Sequence, residues 1–130
     1  MTDRPSIAII GSGNVGASLA RRLASAGYEL RFGVRPGKDI AGVLEQLRSG
    51  GATVSAASPQ EAARGAAFVF LAIPAAAAVE AVGSLGELGS TIVVDCTNPL
   101  RWSGGPIWAP PAEGSVTQAI AAAATGARKP

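Results

Sequence analysis

Six residues constrain this chain more than any other part of it: Gly11-Ser12-Gly13-Asn14-Val15-Gly16. They directly follow the apolar, β-branched run Ser6-Ile7-Ala8-Ile9-Ile10. They also open a segment in which Val15, Leu19, Leu23 and Ala26 recur at helical spacing before Gly27 supplies a left-handed stop. With 17 Gly in 130 residues the spacing alone is a weak signal, but a buried strand that stops on a glycine and restarts as a helix is the context that gives it meaning. There Gly11 permits the tight turn, Gly13 lets the backbone approach a pyrophosphate, and Gly16 lets the helix pack on the strand. The helix start then offers free N–H groups and a positive dipole end to an anion.

The remaining pattern alternates the same way. Tyr28 to Val34 predicts a second strand ending at Arg35-Pro36-Gly37, and Ile40, Val43, Leu44 and Leu47 form the stripe of a second helix closed by Gly50-Gly51. Ala52-Thr53-Val54 predicts a short third strand. Ser58-Pro59-Gln60-Glu61 then has an N-cap, a proline at the first helical position and the reciprocal acid of a capping box, opening a brief helix to about Arg64. Ala67 to Ile73 and Thr91 to Val94 are buried strands, separated by an Ala-rich helix with Val79 and Val82 that runs to Gly83. Leu100 to Gly114 shows no periodicity and predicts a loop, and Ser115 with Gln118 opens a last Ala-rich helix that stops at Gly126. Continuous apolar strands alternating with helices require a mostly parallel sheet covered on both faces, a doubly wound α/β domain occupying residues 1–130. The expected strand order is 3-2-1-4-5, with a ligand at the reversal between strands one and four.

Composition removes other chemistries. The chain has one Cys and no His, which excludes zinc sites, disulfide frameworks and Ser-His or Cys-His nucleophile pairs, so redox chemistry has to come from a bound cofactor. Lys+Arg exceed Asp+Glu by 11 to 9, too small a surplus for a nucleic-acid partner. Met1-Thr2-Asp3-Arg4-Pro5 leads straight into the first strand, with no signal-peptide core and no apolar stretch of membrane-spanning length, so a soluble, cytoplasmic chain without a membrane partner is expected. Trp102, Ile107 and Trp108, apolar residues in the predicted loop, suggest self-association as a homodimer.

The second strand ends Gly33-Val34-Arg35, where a domain selecting NAD carries an acid for the ribose 2′-hydroxyl. Arg35, assisted by Lys38, instead offers charge to a 2′-phosphate, favouring NADP; the alternative for the pair is a solvated turn. Ala72-Ile73-Pro74 and Thr97-Asn98-Pro99 end strands four and five in the same crevice. Ile73 and Pro74 suit packing on nicotinamide or ribose, and the Thr97 hydroxyl and Asn98 amide suit hydrogen bonds to ribose or carboxamide. Asp95 is expected to be a loop carboxylate and Cys96 a small buried hydrophobe.

Together, Gly11 to Gly16 with Leu19-Ala20-Arg21-Arg22-Leu23-Ala24-Ser25-Ala26-Gly27, Gly33-Val34-Arg35, Leu71-Ala72-Ile73-Pro74 and, most specifically, Asp95-Cys96-Thr97-Asn98-Pro99-Leu100 resemble the cofactor domain of coenzyme F420-dependent NADP oxidoreductases. The resemblance extends through Gly114-Ser115 to Gly126. It implies a Rossmann-like NAD(P)-binding domain that holds NADP(H) and exchanges hydride with a flavin or deazaflavin (F420-like) acceptor set against the nicotinamide. Family members have Ser or Thr before the arginine, where this chain has Val34, so one hydrogen bond to the 2′-phosphate is missing. They also continue beyond the last helix into a strand and a helical region used in dimerisation, whereas this chain ends Ala127-Arg128-Lys129-Pro130, which leaves open a non-catalytic NADP(H)-binding sensor or a partner-dependent subunit.

Overall fold

Ile7, Ala8, Ile9 and Ile10 of strand β1 (Ile7–Ile10) are all buried because the strand lies mid-sheet with a helical layer on each face. The structure, a computed structural model, describes residues 5–97, 100–102, 106–108 and 116–123. Around β1 stand β2 (Leu30–Gly33), β3 (Val54–Ala57), β4 (Phe68–Leu71) and β5 (Ile92–Asp95), in the order β3-β2-β1-β4-β5 with every pairing parallel. This is the expected order and a Rossmann-like α/β sheet. Pleat alternation sends Ile7 and Ile9 to one face with Leu30, Phe32 and Val54, where α1 (Asn14–Ser25) and α2 (Ala41–Ser49) contribute Ala20 and Leu47. Ala8 and Ile10 go to the other face with Val69, Leu71 and Val93, beneath α3 (Pro59–Ala63), α4 (Ala75–Gly83) and α5 (Val116–Ala123). Full burial of each Ile, Leu or Phe side chain contributes about 1.5–3 kcal/mol, so these two faces supply most of the driving force. Because β1 leads left to β2 while β4 leads right to β5, the loops leaving β1 and β4 diverge and leave a crevice between them.

Local chemistry sets the boundaries. Helix α1 ends on Gly27 at φ +91°, with the Gly27 N–H donating to Ala24 O (2.9 Å) and the Tyr28 N–H to Leu23 O (3.2 Å). That cap engages Tyr28, and β2 begins at Leu30 rather than at residue 28. The third strand lies further along than residues 52–54, because Ala52 N–H donates back to Leu47 O (3.1 Å) and closes α2. As an edge strand it tolerates exposed Ser55 and Ala56, so no apolar run marks it. The Glu61 N–H donates to Ser58 Oγ (3.2 Å) as the capping box requires, but the Glu61 carboxylate accepts from the Ser58 hydroxyl (3.4 Å) instead of from its backbone. Residues 100–114 are not all loop: β6 (Leu100–Trp102) and β7 (Pro106–Trp108) pair antiparallel. Strands this short cannot display a period of two, so sequence pattern passes over them. The side chains of Trp102, Ile107 and Trp108, on which the homodimer expectation rests, lie outside the described residues, as do Ser115 and Gly126. Among the described residues no helix is long and apolar enough to cross a membrane.

The apolar stripe expected on α1 is rotated. Gly16 and Ala20 are its buried residues, Leu19, Leu23 and Ala24 pack partly against the core, and Val15 is 53% exposed. The cause lies at the helix start, where Gly16 meets the strand exit.

Candidate cofactor crevice

At the end of β1 three backbone segments meet without a side chain between them. The Gly11 N–H donates to Gly33 O (3.1 Å), and the Ala72 N–H donates to Ile10 O (2.9 Å), so the ladders continue one residue beyond the strands. Gly11 sits at φ +108°, and a Cβ there would lie 2.3 Å from Ala72 O and 2.8 Å from Ile73 Cγ2. On Gly16 a Cβ would lie 2.4 Å from Gly11 O, which fixes the helix against the turn and turns Gly16 and Ala20 inward. Gly13 differs: it has φ −74°, a conformation open to any residue, and nothing lies within 4 Å of its absent Cβ. The fold therefore accounts for two glycines of the motif and not for the third. Gly13 is also the N-cap of α1, which has no side-chain cap and no acid in its first turn, so the leading N–H groups are left for an external acceptor.

The crevice beside this loop has a volume of about 600 Å³. Gly11, Ser12 and Gly13 form one wall and Ala72, Ile73 and Pro74 another; Gly33 and Pro59 lie at the base. Val34, Arg35 and Lys38 line it from the β2 side. The Lys38 N–H donates to Arg35 O (3.1 Å), with Pro36 and Gly37 (φ +82°) at the two central positions, a type II turn that sets the two cations side by side. Both are exposed, and neither side chain has a hydrogen-bond or ion-pair partner among the described residues. No acid ends β2. The remaining wall is one face of α4, where Ala77, Glu80, Ala81 and Ser84 recur at spacings of three and four, opposite the buried Ala78 and Val82. Sequence reasoning overlooked this wall, although its periodicity was available once the helix was assigned.

Other expected site residues lie elsewhere. Asn14 and Val15 line a shallow depression of about 390 Å³ on the outer face of α1, with Ser18, Leu19 and Arg22. Thr97 follows β5 and does not line the crevice; its N–H and its hydroxyl both donate to Asp95 Oδ1, at 2.8 and 2.5 Å. Asp95 thus orders its own loop, and the Thr97 hydroxyl, its proton committed, can offer a ligand only lone pairs. Asn98 and Pro99 lie outside the described residues.

Cys96 is half-buried, and burial, with the neighbouring Asp95 carboxylate adding to it, pushes its thiol above the usual range. The protonated form dominates at neutral pH, so Cys96 has the character of a small hydrophobe. Iodoacetamide should label it more slowly than it labels the unfolded chain at pH 8, and the folded rate should climb only at higher pH. Equal rates at pH 8 would show that the fold does not protect the thiol.

The family model for coenzyme F420-dependent NADP oxidoreductases matches residues 6–99, a span that includes all of β1 to β5. The chain belongs to this family. A provisionally assigned F420-dependent NADP reductase from Arthrobacter sp. FB24 superposes with a TM-score of 0.76 at 30% identity, covering 89% of this chain and 56% of that one. The hypothetical protein SMa0349 from Sinorhizobium meliloti gives 0.78 at 25% identity, covering 95% and 58%. This member of the family thus spans a little over half the length of either protein. Pyrroline carboxylate reductase from Plasmodium falciparum, solved with NADP bound, shares the fold with a TM-score of 0.58 at 17% identity, covering 77% of this chain and 36% of that one. No curated protein matches the sequence.

Proposed function

We propose that residues 1–130 act as one dinucleotide-binding domain that holds NADP(H) in the switch-point crevice and presents its nicotinamide to a flavin or deazaflavin (F420-like) hydride acceptor. The observation that carries this proposal is Gly13: a side chain is absent where neither backbone conformation nor packing forbids one, which is what close approach of a pyrophosphate demands. The uncapped start of α1 supplies N–H donors to the phosphates there. Arg35 and Lys38 favour NADP over NAD, because they bring two cations without a partner among the described residues to the β2 side of the crevice, while the nearest acid, Asp39, accepts from the Ala41 N–H and does not line it. Ile73 and Pro74 offer an apolar surface to the ring and exclude water from one of its faces.

Bound NADPH supplies the hydride, and the protein's part is to position and shield it. No proton has to be moved by a histidine, and the chain has none. Steady-state oxidation of NADPH should be measured with FMN and with a deazaflavin as acceptors. Turnover with either supports the oxidoreductase role; tight NADPH binding without turnover reduces the chain to a binding module.

A further inference from the structure

The α4 wall of the crevice carries an acid in a site otherwise lined by two cations, and a carboxylate there repels a phosphate instead of holding it. Glu80 is exposed and has no protein donor among the described residues, so its carboxylate stays open to a donor brought by a ligand. Ser84, one turn further along the same face, donates its hydroxyl proton to Ala81 O at 2.8 Å, which leaves its oxygen with lone pairs only. An ionised carboxylate is likewise acceptor-only. Between and beside them Ala77 and Ala81 are small enough to let a flat ring lie against the helix, with Arg35 and Lys38 lining the crevice from β2. The polar end of this wall thus matches a neutral ligand group that brings N–H donors and no acceptor of its own.

We propose that Glu80 and Ser84 select the purine of the cofactor by accepting hydrogen bonds from the exocyclic 6-amino group of adenine. This rests on the NADP(H) proposal above and adds base selectivity to it. Adenine presents an amino donor at that position, whereas hypoxanthine presents a keto oxygen, which would place lone pairs against lone pairs.

The test is the ratio of two dissociation constants on the full chain, for NADPH and for its deamino counterpart in which hypoxanthine replaces adenine, measured by calorimetry at fixed salt. The ratio cancels any general effect of the Glu80 charge on the phosphates. The parent chain should bind NADPH about tenfold more tightly, the lower end expected for a hydrogen bond to an exposed charged group. Glu80→Gln, whose amide can donate to the keto oxygen as well as accept from the amino group, should bring the ratio to within about twofold of unity. Ser84→Ala should lower it by a smaller amount. Equal binding of the two nucleotides by the parent chain, or a ratio unchanged by Glu80→Gln, would overturn this proposal while leaving the NADP(H) proposal intact. Binding of neither nucleotide would overturn both.

Discussion

Gly13→Val should weaken NADPH binding by a hundredfold or more while costing the fold no more than about 1 kcal/mol, the penalty for an aliphatic residue at an N-cap. The asymmetry follows from the empty space around the Gly13 Cβ position: the valine side chain meets no protein atom there, so packing does not oppose it. What it would meet is the pyrophosphate proposed for this loop. Displacing that group from the helix start loses at least two charge-assisted hydrogen bonds at roughly 1.5–3 kcal/mol each, hence the hundredfold or more. Gly16→Val is the counterpart, since its Cβ would stand 2.4 Å from Gly11 O and the helix would have to move. Thermal melting should place Gly16→Val well below Gly13→Val, by several degrees for each kcal/mol of strain. NADPH affinity unchanged in a folded Gly13→Val chain, read by calorimetry, would remove the pyrophosphate from this loop.

The second large effect is on cofactor choice. Arg35→Ala should lower NADPH affinity about tenfold to a hundredfold and leave NADH affinity nearly as it was, because only the phosphorylated ribose offers the guanidinium a dianion. Arg35 is exposed, so solvent and salt screen the contact and the effect should fall toward the lower end at physiological ionic strength. Raising salt should shrink the NADPH preference of the parent chain and barely affect that of the variant. Lys38, brought alongside by the turn, should show the same selectivity with a smaller loss on substitution by Ala, since an ammonium is a point charge without the bidentate fork. Equal loss of both nucleotides in Arg35→Ala would make the arginine a general binding residue and would falsify its role as discriminator.

The parts of the molecule that sequence reasoning reached are those written in short-range chemistry. Ile7 to Ile10 are apolar at every position because they are buried on both faces. Gly27 stops α1 because only a residue free of a Cβ adopts φ +91° cheaply, and Ser58 caps α3 with its own hydroxyl. The strand order is the one common to dinucleotide-binding sheets with a glycine motif after the first strand; handedness alone allows others. What escaped depended on tertiary position. β3 carries Ser and Ala where a buried strand would carry Val, because it is an edge, and edges are known only once the sheet is assembled. Glu80 and Ser84 are ordinary helix-surface residues until α4 is seen to border the crevice. Val15 appeared apolar and therefore inward, but contact between Gly16 and Gly11 determines the helix rotation, and Val15 faces out. Nothing in the sequence reveals that the Thr97 hydroxyl donates to Asp95, which leaves only its lone pairs for any ligand.

The contact of Gly11, Gly16 and Ala72 divides the crevice into a part that cannot vary and a part that can. No side chain fits where the exits of β1 and β4 touch, so any change there alters the sheet itself. The turn from Arg35 to Lys38 lies outside the sheet, its residues exposed, with a single backbone hydrogen bond closing it. Substitutions at its two ends replace exposed side chains, so their effects on stability should be small and should add nearly independently to changes made elsewhere. A chain built this way can exchange one nucleotide preference for another over a few residues while its architecture stays fixed, and descent with changed cofactor taste needs no compensating repair in the core.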